Sequence, residues 1–371
     1  MSNNRFTALD VFRGLTVCFM IIVNTPGTYD TVYAPLLHAS WNGFTPTDLV
    51  FPSFLFAVGN AMSFTAPKWE HEPNKKVVLK ILKRTSIIFL LGYLMHWFPF
   101  VQHTENGFAF APISETRIFG VLQRIALCYG ITALLLHFFK PKATVIISII
   151  LLCLYWIILL AFGGDDPFNV DTNASNLLDK FLLGEKHLYT EDGVLYDPEG
   201  IFGTLPSIAN VVAGYVVGSY IQKNGKTFES LTKLLFAGIA LASIAYCINF
   251  YFPVNKKLWT SSFVLLTVGL DCIIIAAIIY VIDFLNKTKW TYFFEVFGRN
   301  PLFIYLLAEL CVTILNFIQV SSDTSLYDWI YKNIFSHIGA YFGSFLFAFT
   351  YMLLCWSIGY FLDKKRIYIK V

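Results

Sequence analysis

Apolar runs of about 20 residues return along the chain at near-regular intervals from residue 12 to residue 362, parted by shorter polar segments. Each run is long enough to cross the hydrocarbon core of a bilayer as an α-helix. Ten such helices are predicted, near 7–24, 47–66, 77–98, 117–138, 143–163, 201–222, 231–251, 259–285, 299–319 and 339–362. No long segment alternates apolar and polar positions as a membrane barrel requires, so the expected class is an all-α polytopic transmembrane bundle. Helices also pair every backbone amide internally in lipid. No polar stretch is long enough to fold alone, which makes residues 1–371 a single integral-membrane domain.

Basic residues give the bundle a direction. With the amino terminus inside, the cytoplasmic segments carry fifteen Lys and Arg residues, from Arg5 and Arg13 to Arg366 and Lys370. The opposite segments carry five: Lys180, Lys186, Lys256, Lys257 and Lys332. That bias predicts a cytoplasmic amino terminus, and an even number of spans places both termini on that side. Outer loops then fall near 25–46, 99–116, 164–200 and 320–338, and residues 328–339 read as an interfacial amphipathic helix. The first apolar run has no A-x-A cleavage site and is followed by many others, so it is expected to stay as a first membrane helix.

Composition supports this picture and narrows the partners. Of 371 residues 56% are hydrophobic and 14% charged, against about 25% charged in soluble domains. A net charge of +3, scattered along the chain, gives no nucleic-acid footprint. Membrane lipids are the expected surroundings. The seven cysteines, at 18, 128, 153, 247, 272, 311 and 355, all lie in apolar runs without C-x-x-C or Cys/His spacing, and no metal site is predicted.

Within a bilayer the informative residues are the polar ones, because an ionisable group near mid-span costs about 2.5–3.5 kcal/mol unless paired or hydrated. Asp10 and Arg13 stand one helical turn apart and read as a structural ion pair. Asp48 opens the second helix beside Thr45 and Thr47, where a cap and a site role explain it equally well. Gln123 and Arg124 are expected about two turns below the outer end of the fourth helix, with Arg117 two turns above Arg124. Arg124 is too deep to snorkel easily and is expected to face a cavity or a carboxylate. Asp271, Glu309, Ser261, Ser262 and Asn300 fall at or inside later helices, and interhelical hydrogen bonding is the default reading for each. Among seven histidines, His38 stands out by context. Aromatics, Gly27 and Pro35 flank it, Asn24 ends the incoming helix, and Trp41, Asn42 and Gly43 follow closely.

The run R-F-T-A-L-D-V-F-R-G-L-T, then I-V-N-T-P-G, then L-L-H-A-S-W-N-G-F-T-P-T-D-L-V-F-P, resembles the heparan-α-glucosaminide N-acetyltransferase family in word and order. The segments R-I-F-G-V-L-Q-R-I-A-L-C-Y, Y-D-P-E-G, L-W-T-S-S-F-V-L-L-T and G-R-N-P-L-F-I-Y are similar to it as well, so the likeness extends from residue 5 to about 305. Lysosomal members are longer at the amino terminus, so the resemblance implies a minimal bacterial form in the inner membrane. It further implies an enzyme that takes acetyl from cytosolic acetyl-CoA and places it on the amine of a glucosamine-type sugar across the membrane. The family's active histidine falls on His38 and its partner asparagine on Asn24.

Chemistry is consistent with that assignment. Only a neutral amine attacks a thioester, and imidazole is a base poised near neutrality. On this reading His38 is a general base or, in a ping-pong route, an acyl carrier, and Asn24 stabilises the oxyanion or orients His38. Trp41, Asp48, Gln123, Arg124, Ser261 and Asn300 are the expected binding residues for sugar or CoA along a polar conduit. Lys76, Lys80, Lys83 and Arg84 are candidate phosphate cations. The competing classes are a sugar or glycolipid transporter or flippase, and an acyltransferase using another acyl group or an O-linked acceptor. Monomer and homodimer both stay open.

Overall fold

The computed structural model describes residues 6–104, 107–191 and 193–369; Arg5 and Lys370, two cations assigned above to the cytoplasmic side, lie outside them. Its helices follow the apolar runs. α1 (Thr7–Asn24) is followed by α2 (Val50–Met62), α3 (Asn74–Trp97), α4 (Val121–Phe138) and α5 (Pro141–Phe162). After a short α6 (Ala174–Leu183) come α7 (Thr204–Asn224), α8 (Phe228–Ile248) and α9 (Ser261–Ile279). α10 (Thr291–Arg299), α11 (Pro301–Phe317), a short α12 (Leu326–Ile330) and α13 (Ala340–Lys364) complete the described chain.

Among the described residues eight helical segments are long and apolar enough to cross a membrane, and the bent pair α10–α11 makes a ninth if it is one broken span. The tenth expected span, α3, is 24 residues long. Lys75, Lys76, Lys80, Lys83 and Arg84 in its first half keep it below the same apolar standard. The chain is therefore a mainly helical, multi-pass membrane protein.

α1, α2, α7 and α9 supply much of the shared core, with Phe12, Leu55, Phe56, Ile208, Val211, Phe263 and Ile275 fully buried. Lipid is as apolar as these side chains, so close packing rather than transfer from water holds such helices together. The α2–α7 crossing shows the device. Gly59 lies on the backbone of Val211 and Gly214 on that of Phe56, and a Cβ at either would overlap a carbonyl. α5 and α8 are peripheral and turn Ile149, Leu154, Ile157, Phe236, Ile239 and Tyr246 outward, as a lipid-facing surface would.

Two boundaries differ from expectation, each for a local backbone reason. The fourth helix begins at Val121 rather than 117 because Gly120 is extended, with φ 174° and ψ −169°. Gln123 and Arg124 thus sit in the first turn of α4, not two turns below its end. The helix expected over 299–319 is α11, which starts at Pro301 and meets a preceding helix, α10, at 81°. Asn300 lies between them with φ −130° and ψ 48°, and a residue before proline is steered away from helical geometry. The short α10 before the break read as loop in the sequence.

The predicted outer loops hold small ordered pieces. β1 (Val101–Thr104) pairs antiparallel with β2 (Gly107–Phe110), Val101 opposite Phe110. β3 (Thr190–Glu191) pairs with β4 (Val194–Leu195), and β5 (Gln319–Ser321) with β6 (Thr324–Ser325). The interfacial helix expected over 328–339 starts slightly earlier, at Leu326, and continues through tighter and wider turns to Ile338.

Candidate active site

The segment from α1 to α2 is tied down by its own polar residues. Thr45 donates its hydroxyl to the Leu37 carbonyl at 2.7 Å, and Thr47 does the same to Pro35 at 3.0 Å. Gly43, at φ +122°, turns the chain in a region that disfavours other residues, and its N–H reaches the Val254 carbonyl. Asp48 then receives two hydrogen bonds on Oδ2, from the Ala39 N–H at 3.1 Å and the Thr45 N–H at 2.9 Å, with the Thr45 hydroxyl oxygen 3.1 Å away. Its other oxygen faces His38 Nδ1 at 2.7 Å.

Asp48 is therefore both a cap and one half of a carboxylate–imidazole pair. The carboxylate side chain is 0% exposed and the imidazole 42% exposed, so the pair presents only its histidine. An ionised carboxylate accepts but cannot donate, so Nδ1 carries the proton and Nε2 the lone pair. Lys256, from the loop between α8 and α9, sits 3.1 Å from both ring nitrogens and 4.0 Å from Asp48 Oδ1.

A cavity of about 560 Å³ opens beside this pair, within the usual range for small-molecule sites. Its polar part is formed by His38, Asp48, Asn24, Glu309, Arg117, Glu199, Lys256 and Lys257, with Tyr29, Tyr189 and Tyr196. Its apolar part is formed by Met20, Phe51, Phe54, Met95, Leu122, Ile125 and Leu302. α11 contributes Leu302, Tyr305, Glu309 and Thr313, one face of a helix on which the first and last are about 16 Å apart at 1.5 Å per residue. That is roughly half the thickness of a hydrocarbon core.

Two ionic elements shape the wall. Arg117 grips Asp197 through two hydrogen bonds, at 2.9 and 2.6 Å, and Glu199 through a third at 2.6 Å, so the Y-D-P-E-G segment is fastened to the stretch that leads into α4. Burial opposes the charge on Glu199, but Arg117 beside it, with Arg124 and Lys256, outweighs burial and holds its carboxyl below the usual range. The Arg117 guanidinium also lies over Tyr189 at 4.8 Å, and Lys257 over Tyr196 at 5.4 Å. On α11, Glu309 accepts a hydrogen bond from the Asn24 amide at 3.3 Å.

Of the expected catalytic and binding residues, His38, Asn24 and Asp48 line this one cavity, together with Arg117 and Glu309, which the sequence marked only as polar. Trp41 stands at its margin, its ring edge-on to Tyr196 at 5.6 Å and its indole N–H donated to the Phe168 carbonyl at 2.7 Å. The others have partners inside the protein. Gln123 donates to the Ile118 carbonyl, and Arg124 is buried between the Gly200 carbonyl at 2.9 Å and the face of Trp259 at 4.9 Å. Ser261 links α9 to the Leu152 carbonyl of α5, and Asn300 holds the tail through Ile367 and Ile369. Lys256, Glu199 and Arg117 were not assigned to a site from sequence. Their signal was charge in outer segments that also carry motif words, Y-D-P-E-G and K-K before L-W-T-S-S. Among the described residues no group of three or more His, Cys, Asp and Glu forms a candidate metal site.

Residues 5–244, which include the Asp48–His38 pair, match the family model described as heparan-alpha-glucosaminide N-acetyltransferase, catalytic. The chain belongs to that family. It is 28% identical to heparan-alpha-glucosaminide N-acetyltransferase of Mus musculus over 269 residues, 59% of this chain and 39% of that protein. Against the protein of the same name from Homo sapiens it is 28% identical over 266 residues, 58% of this chain and 38% of the other. The matched region is thus about two fifths of the length of these relatives.

Proposed function

We propose that the protein transfers acetyl from acetyl-CoA to the amine of a glucosamine-type sugar, with His38 as the general base. The observation that carries this reading is the Asp48–His38 pair, which places the basic Nε2 at the cavity with Lys256 Nζ 3.1 Å from it. In the step itself, the neutral amine attacks the thioester carbonyl carbon. His38 Nε2 takes the proton from the new C–N centre, and the C–S bond breaks as CoA thiolate leaves. Negative charge on the carbonyl oxygen is met by Lys256 and by the second N–H of the Asn24 amide, whose first is given to Glu309. Tyr189, Tyr196 and Trp41 offer flat faces suited to the apolar faces of a sugar ring, and the apolar part of the cavity suits the extended acyl-thioester arm.

The donor enters from the cytosol and the acceptor from the opposite compartment on this reading, in a bacterial inner membrane with both termini cytoplasmic. The fifteen-to-five distribution of Lys and Arg supports that orientation. The test uses purified protein with acetyl-CoA and glucosamine. Thiol release that depends on the sugar is expected, falling about 10²–10⁴-fold in His38→Ala. Uptake of glucosamine into liposomes without thiol release would replace the transferase by a transporter.

A further inference from the structure

We propose that Glu309 is the residue that recognises the acceptor as a cation, by binding the ammonium group that an amino sugar carries into the cavity. The inference rests on the amino-sugar reading above and adds to it a specificity-determining residue. It comes from comparing the three carboxylates that line the cavity. Asp48 has His38 at 2.7 Å and Lys256 at 4.0 Å, and Glu199 has Arg117 at 2.6 Å. Glu309 has the uncharged amide of Asn24 at 3.3 Å, and among the described residues it forms no ion pair. A carboxylate on a membrane helix is costly unless it meets a positive charge. Here the protein supplies that charge for two carboxylates and not for the third.

The position of Glu309 makes the omission useful. It follows Leu302 and Tyr305 and precedes Thr313 on the cavity face of α11, so its carboxylate, which takes one hydrogen bond from Asn24 at the end of α1, also borders the space a ligand would enter. An amino sugar in neutral water is largely an ammonium ion, whereas a neutral hexose offers only hydroxyls at the same ring position. Glu309 binds the first more tightly. The ammonium then loses one proton to water before it attacks the thioester, which leaves His38 Nε2 free to take the second proton after C–N bond formation, and Glu309 is unchanged by the cycle.

Equilibrium titration at about pH 6.5, where such an amine is mostly protonated, tests this directly with glucosamine and glucose as probes. The wild-type protein is expected to prefer glucosamine. Glu309→Gln, which keeps the size and the Asn24 contact, is expected to weaken glucosamine about ten- to hundredfold, the range of a charge-assisted bond, and to leave glucose and CoA binding unchanged. Glu309→Asp should restore part of the preference, which a merely structural role would not do. A wild type without preference, or a Gln variant that keeps it, overturns the proposal, as does a Gln variant that loses CoA binding together with glucosamine. Preferential binding without thiol release would retire the transferase and keep this assignment. Thiol release from glucosamine with the preference intact in Glu309→Gln would do the reverse.

Discussion

Among the described residues two arginines each hold a pair of carboxylates, and only one of these clusters borders the His38 cavity. Beside the His38 cavity, Arg117 holds Asp197 and Glu199. At the α10–α11 break, Arg299 holds both oxygens of Asp363 at 2.7 Å and Glu295 at 2.5 Å, while Tyr292 and Tyr368 donate to Asp363 at 3.0 and 3.2 Å. Asn300 fastens the tail next to it. The side chains of the second cluster pair with one another, and none of its residues lines the cavity. The first is equally well paired but leaves three neighbours facing open space: the imidazole of His38, the carboxylate of Glu309 and the amide of Asn24. A charged network in a membrane protein is therefore no mark of a site. The surplus polar group beside it is.

That contrast is tested most sharply at Asp48. Its Oδ2 already accepts from two N–H groups. In Asp48→Asn the amide oxygen must take that place, which turns the NH2 toward His38 Nδ1. The ring is then forced to carry its proton on Nε2, where it cannot act as a base. Sugar-dependent thiol release is expected to fall about 10²–10⁴-fold with CoA binding intact. Unchanged turnover would leave Asp48 a cap and nothing more.

The opposite cluster should answer in the opposite way. Asp363→Ala leaves Arg299 with Glu295 alone and cuts Tyr292 and Tyr368 adrift, a loss of about 1–3 kcal/mol for a part-buried network. Thermal melting of the purified protein is expected to drop, while turnover per folded molecule below the transition stays at the wild-type level. A selective loss of turnover without a change in melting would make the two clusters functionally alike.

Much of this was legible in the chain, and the illegible parts share one cause. Apolar runs located the helices because lipid demands about 20 apolar residues per span, and the H-A-S-W-N-G segment located the imidazole. What the runs did not show were backbone breaks, since Gly120 and Asn300 end or begin helices by φ and ψ rather than by polarity. Polar residues were flagged correctly as costly, yet cost alone does not say who the partner is. Arg124 and Ser261 turned to carbonyls of the protein, Asn300 to the tail, and Glu309 to a cavity. Nor did the sequence announce that Asp48, ten residues from His38, would cap a turn and hold the imidazole at once.

The smallest expected effect concerns the loop behind Arg117, and it separates pairing from burial. Asp179 of α6 lies beneath this segment and accepts the Ile201 N–H at 2.9 Å. Burial pushes its carboxyl up from an ordinary 3.8 to about 7, and Asp197 nearby adds to the rise. Its native form therefore holds a proton that the unfolded chain releases, so this contribution to stability is complete below about pH 4 and disappears as pH rises through about 7. Wild-type melting is expected to decline by a few degrees from about pH 5 to about pH 8, with faster amide exchange at Ile201 at the upper end. Asp179→Asn keeps an oxygen for the Ile201 N–H and has no proton to lose, so its melting should be flat over that interval. Equal slopes in the two proteins would mean that Arg117, Asp197 and Glu199 hold the loop by themselves and that Asp179 is protonated or charged there without consequence.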